Sequence, residues 1–297
     1  MMKSNRASLV LFFVLAFLLP WIVWGTTIAQ NRGILSFHIP QSLAFWVGLT
    51  VATFGTAALS GGTDALKDLL LRMVRVAVHP VWYIAALLLM PALAGIAIAV
   101  GAVSGTTYEF PARVTIGGVA GTLLFQWFFF LVTEETAWRG FALPRLQKRL
   151  SAGSAALLLG VIWGLWHLPL VFVAESFQSQ IPFFGFLLAA VAMSVLTSFI
   201  FNNSRGSVFV AALFHAATDT TIGLSAVMTS GTTLFWIFVI VLLVAALLVW
   251  LVAGAKTLAR GRDIAAARYC GAGSGLRLTG GTRTTAGSTA SSSSAMR

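Results

Sequence analysis

Charge is scarce in this sequence. Only 9% of its 297 residues are Asp, Glu, Lys or Arg, eight of them acidic, and there is one cysteine, Cys270. An ordinary soluble domain is roughly one-quarter charged, so composition argues against a water-soluble fold. A single cysteine excludes an intrachain disulfide and a cysteine-built metal site. The chain also lacks the period-2 alternation of a transmembrane barrel and any internal repeat at a fixed period. Its connections are too short to hold a soluble domain between the apolar segments.

Apolar length is what the sequence has in quantity: 58% of residues are hydrophobic, and mean hydropathy is +0.92. Eight apolar runs fall at about 8–28, 41–61, 81–103, 114–133, 153–174, 182–202, 206–228 and 232–254, each near the ~20 residues a helix needs to cross a hydrocarbon core. Backbone groups cannot stay unpaired in lipid, so these runs are helices. The expected fold is an all-α, polytopic transmembrane helical bundle of about eight spans. The first run follows Lys3 and Arg6 and is read as a retained helix rather than a signal peptide. Residues 1–256 form one membrane domain. Residues 257–297, rich in Gly, Ser, Thr and Ala, are expected to be a disordered low-complexity tail. The tail has no C-terminal cysteine motif, so the chain is not expected to be prenylated itself.

A net charge of +11 would suit nucleic acid if its lysines and arginines were clustered on one surface. Their placement points elsewhere. Alternate connections hold Lys3 and Arg6; Lys67, Arg72 and Arg75; Arg145, Lys148 and Arg149; Arg205; and the stretch from Lys256 to Arg297, whereas the opposite set holds Arg32 and Arg113. This is the positive-inside pattern, with both termini cytoplasmic. The expected location is the cell membrane of a prokaryote. The implied partner is membrane lipid, with anionic headgroups near the basic clusters, and not nucleic acid.

Ionisable side chains within spans are costly and mark sites. Glu134 and Glu135 stand adjacent near the end of the fourth run, followed by Arg139; His167 lies late in the fifth, and His215 and Asp219 within the seventh. Residues four apart share a helical face. Glu135 can therefore pair with Arg139 while Glu134 projects about 100° away. A carboxylate left out of the pair in a low-dielectric cavity can take a proton from water and return it, which makes Glu134 the candidate general base. A buried structural ion pair or one step of a proton path accounts for the same three residues equally well. Trp163 with His167, and His215 with Asp219, repeat the four-residue spacing, and helix rise puts the polar positions within about 10 Å of a common depth. Pro144 and Pro169 are positions where helices kink or stop. His38 and His79 fall in or beside connections and are read as surface residues. Phe128, Phe129, Phe130 and Met193 are assigned no role beyond lipid or helix contact, although the Phe-rich stretch before Glu134 is placed to line a route for an apolar substrate.

In order along the chain, Glu134-Glu135-Thr136-Ala137-Trp138-Arg139, Trp163-Gly164-Leu165-Trp166-His167 and His215-Ala216-Ala217-Thr218-Asp219 resemble the Glu-Glu-x-x-x-Arg, Phe-x-x-x-His and His-x-x-x-Asn/Asp motifs of the CPBP family (CAAX proteases and bacteriocin-processing enzymes, also called Abi). The resemblance covers about 114–228. It implies an intramembrane endopeptidase acting on a membrane-associated or lipidated, CAAX-like peptide. Glu134 with His167 would activate water, His215 with Asp219 would stabilise the oxyanion, and Glu135, Arg139 and Trp163 would support the site. Trp163 stands where the family carries Phe. Asp219 stands where some members carry Asn, and an ionised Asp cannot donate a hydrogen bond. The implied cofactor is either none or a divalent metal such as zinc on Glu134, His167 and His215; the sequence has no His-Glu-x-x-His signature. Two other classes fit the same residues less well: a non-catalytic membrane scaffold or immunity-type protein, and a proton-coupled transporter. The transporter is disfavoured because no two-fold repeat is found.

Overall fold

The computed structural model describes residues 5–37, 39–110, 114–229 and 231–259. Lys3, His38, Arg113, Cys270 and almost all of the expected tail lie outside the described residues. Among those described, every regular element is helical: α1 (Asn5–Asn31), α2 (Thr50–Met73), α3 (Pro80–Val103), α4 (Ile116–Val132), α5 (Leu143–Leu146), α6 (Ala152–Trp166), α7 (Phe183–Asn203), α8 (Val208–Ser225) and α9 (Thr232–Ala253). π-helical turns at Ala44–Leu49 and Thr136–Ala142 lead into α2 and α5. Eight stretches are long and apolar enough to span a bilayer. The protein is a multi-span helical membrane protein.

Local sequence explains where the helices start. Thr115, Ser151 and Ser207 each accept a hydrogen bond at 3.1 Å from the backbone N–H three residues on, capping α4, α6 and α8. His79, read as a surface residue, caps α3 through Nδ1, with Pro80 as the first helical residue.

Two spans run past their apolar cores, reaching Met73 and Leu146 rather than the expected 61 and 133. Hydropathy discards the end of α2 because it carries Asp64, Lys67, Asp68 and Arg72, yet one stripe of it remains inside. Leu69 is buried, and its Cδ1 lies 2.9 Å from where a Cβ on Gly140 would sit. Gly62, with φ 59° and ψ −145°, breaks α2 just where the apolar run ends, a conformation that favours glycine.

A close helix crossing joins α6 to α7. A Cβ on Gly160 would lie 2.7 Å from Val191 Cα, and one on Gly164 2.5 Å from Leu187 Cδ1. Two glycines four residues apart let backbones approach, which is how membrane helices associate without a hydrophobic driving force. α8 is central, packed on α3, α4 and α7. α4 is peripheral, with Leu124, Phe125 and Phe128 facing outward.

The beginning of α1 and the ends of α2, α5 and α9 gather at one end of the bundle. Asn5 Nδ2 donates to Arg145 O, Arg75 to Arg205 O and Asn202 Nδ2 to Thr257 O. Leu258 is fully buried there, so packing continues past residue 256, the expected end of the membrane domain.

Candidate active site

The break after α4 sets the geometry. Thr133 leaves helical conformation at φ −104° and ψ −90°, and the chain re-forms as the buried π-helical turn Thr136–Ala142. Such turns recur at functional sites because they redirect side chains without ending the helix. Glu134, Glu135 and Arg139 are all at most 2% exposed. Arg139 Nη1 donates to Glu135 Oε1 at 2.8 Å. Glu134 faces elsewhere: its Oε2 accepts from Trp163 Nε1 at 2.7 Å. The Arg139 guanidinium also lies 5.2 Å from the centroid of the Trp163 ring, within cation–π range.

His167 follows the last residue of α6, and Pro169 sits in the 3-10 turn Leu168–Phe172 that replaces the helix. Because the helix stops, His167 N turns back to Gly164 O. The Trp163 carbonyl is thereby free for the imidazole, whose Nδ1 lies 2.8 Å away. A carbonyl only accepts, so Nδ1 carries the hydrogen and neutral His167 presents a lone pair at Nε2. Trp166 and Phe186 pack against the ring.

His215 comes from α8. Its Nδ1 lies 2.8 Å from Glu135 Oε1, the oxygen that also accepts from Arg139. Its ring stacks on Phe130 at 3.7 Å and 4° and meets the edge of Trp163 at 5.3 Å. Asp219 Oδ1 is 3.8 Å from His215 Nε2, with the Asp219 side chain 42% exposed. That separation is an ion-pair distance and not a hydrogen bond. The residue that orients His215 is therefore Glu135, across helices, and not Asp219 one turn along the same helix. Glu135 Oε2 and Arg139 Nε and Nη2 are buried without a partner among the described residues.

Glu134, His167 and His215, the residues named for zinc, are not drawn together as a ligand set here. Among the described residues no three His, Cys, Asp or Glu side chains are grouped to hold a metal ion. Hydrogen bonds at Glu134 Oε2, His167 Nδ1 and His215 Nδ1 leave the second oxygen or ring nitrogen of each side chain, a pattern that metal-ligating histidines also show.

A family model for the type II CAAX prenyl endopeptidase, Rce1-like, matches residues 116–221. That stretch contains every residue of the cluster. A protein from Methanococcus maripaludis named CAAX prenyl protease 2 is 27% identical over 235 residues, covering 72% of this chain and 84% of the relative. Over these residues the chain is similar to the CPBP family of CAAX-type proteases. Within the CPBP motifs, three contacts go beyond what spacing foretold. Trp163, expected to change pocket width, holds Glu134. Phe130, expected to meet lipid or a helix or to line a substrate route, stacks on His215. Glu135 reaches His215 from another helix. The four-residue pattern could have flagged none of them except Phe130, which lies one turn before Glu134.

Proposed function

We propose that the chain is an intramembrane endopeptidase that hydrolyses a peptide bond in a membrane-associated or lipidated, CAAX-like substrate, with Glu134 as the base. The observation that carries this reading is the divergence of two adjacent buried glutamates. Glu135 is committed to Arg139 and His215, while Glu134 is steadied at Oε2 by one neutral donor and keeps Oε1 for a water molecule.

Water placed between Glu134 Oε1 and His167 Nε2 would give one proton to the carboxylate as its oxygen bonds to the substrate carbonyl carbon. The carbonyl π pair moves onto the oxygen. His215 faces that oxyanion through Nε2. Since Nδ1 donates to Glu135, Nε2 is a donor only in the imidazolium, whose charge Glu135 and Asp219 offset. Asp219 acts by charge, because an ionised carboxylate has no hydrogen to give. Collapse of the tetrahedral intermediate breaks the C–N bond, and Glu134 returns its proton to the leaving nitrogen. That no three His, Cys, Asp or Glu side chains are grouped for a metal among the described residues supports activation of water by Glu134 itself. The relative's name supports the substrate class, and the positive-inside charge pattern supports cytoplasmic termini.

The test is release of the C-terminal fragment from a prenylated CAAX reporter peptide by the chain reconstituted in vesicles. Wild type should release it and Glu134→Gln should not, at equal thermal stability. Full activity in the variant would remove Glu134 from this role. A scaffold reading is favoured by one feature, that the same bonds tie α4, α6 and α8 together. It predicts that Glu134→Gln lowers stability with no change in any cleavage product.

A further inference from the structure

Four arginines converge where α2 ends, where α5 ends and where the α7–α8 connection turns. Arg72 is only 6% exposed, and its one hydrogen bond among the described residues runs from Nε to Asp68 Oδ2 at 2.9 Å. Its two Nη groups are uncommitted. Arg75 donates through Nη1 to Arg205 O, and its own carbonyl accepts from the Ser207 hydroxyl at 2.6 Å. Arg205 Nη1 donates to Ala77 O at 3.3 Å. Arg145 Nη1 donates to Phe141 O at 3.0 Å with its guanidinium 3.6 Å from the Phe141 ring centroid, and it lies within electrostatic reach of both Arg72 and Asp68.

A guanidinium carries five N–H donors. Each of these arginines is thus fixed by a bond or two and retains donors to spare, and among the described residues Asp68 is the only acid paired within the group. Gly206, at φ +73°, lies against two of them. A Cβ built there would sit 3.4 Å from Arg72 Nη1 and 3.8 Å from Arg75 Nη1, so both guanidiniums border the same small residue. Arginine forks of this kind match phosphate oxygens.

The surroundings indicate where such a phosphate comes from. Leu70 and Leu71, beside Arg72 at the end of a spanning helix, and Val74 and Val76, flanking Arg75 in the connection that follows, are each at least half exposed, an apolar surface suited to lipid. Trp82 and Tyr83 begin α3 beside them, and the Tyr83 hydroxyl donates to Val76 O at 2.8 Å. Trp and Tyr gather at headgroup depth. We propose that Arg72, Arg75 and Arg145 form a binding site for the phosphate headgroup of an anionic lipid. Leu69, one turn before Arg72, packs under Gly140 of the π-helical turn, so the lipid would brace the segment that carries Arg139.

The test is native mass spectrometry of the full-length chain in neutral detergent, titrated with phosphatidylglycerol and with phosphatidylcholine as control. The expected result is one tightly bound phosphatidylglycerol, its affinity lowered at least tenfold by Arg72→Gln and by Arg145→Gln and unchanged by Arg149→Gln on the exposed connection. Should Arg72→Gln fail to fold, the half-buried Arg75→Gln takes its place. Displacement by millimolar inorganic phosphate would support the phosphate site and identify a soluble anion as its occupant. Equal binding by wild type and the variants, or equal loss in Arg149→Gln, would overturn the proposal. Because the readout is binding, its failure is separate from any failure of the peptidase reading.

Discussion

The indole N–H of Trp163 donates to Glu134 Oε2 at 2.7 Å, joining α6 to the turn that ends α4. The same residue accepts from His167 at its carbonyl and faces Arg139 and His215 with its ring. Trp163→Phe keeps the aromatic wall and removes the donor. A hydrogen bond to a charged group contributes about 1.5–3 kcal/mol. The expected effect is a fall of about tenfold or more in kcat, with KM little changed and some activity remaining. Steady-state kinetics on the reporter peptide reads this, and a proportional rise in KM would show that Trp163 acts on substrate binding instead.

Replacing the two adjacent glutamates should separate chemistry from stability. Glu134→Gln should cost about 10²–10⁴-fold in rate, the usual contribution of a general base, with little change in unfolding. Glu135→Gln leaves Arg139 buried without its counter-charge. Breaking one partner of a buried pair costs about 3–5 kcal/mol, so this variant should unfold at a clearly lower temperature. Thermal unfolding in detergent beside the cleavage assay distinguishes them; the opposite assignment of losses would reverse the two roles.

Chelation addresses the metal directly. Because no three His, Cys, Asp or Glu side chains are grouped to hold a metal ion among the described residues, cleavage is expected to persist after prolonged dialysis against EDTA. Activity lost on dialysis and restored by added zinc would show that these side chains rearrange to bind the ion.

Gly160→Val tests the helix crossing that positions His167. The glycine has Val191 Cα 2.7 Å from a would-be Cβ, a backbone contact that cannot swing away. The expected outcome is loss of monodisperse protein on size exclusion. Gly55, with nothing within 4 Å, should tolerate Ala.

Much of the fold was legible because bilayer crossing imposes a length and a composition on each segment. All eight runs correspond to spans in the structure. Errors lie where a helix leaves the hydrocarbon or changes its pitch. The charged end of α2 was discarded by hydropathy although Leu69 and Arg72 are buried, and the π-helical turn carried the fourth span on to Leu146. The candidate site residues stood out as ionisable groups in apolar runs, since such groups are rare. Their pairing was less legible.

The sequence alone determined that this is a helical membrane protein and which acids and histidines it keeps inside. It also determined the Glu135–Arg139 pair, because that contact lies within one turn of one segment. Tertiary structure decided the remaining contacts. His215 could have turned to Asp219 on its own helix, yet the crossing of α8 with the turn after α4 brings Glu135 Oε1 to 2.8 Å and leaves Asp219 at 3.8 Å. Periodicity reports which residues share a face. Only the packing of one helix on another fixes what that face meets.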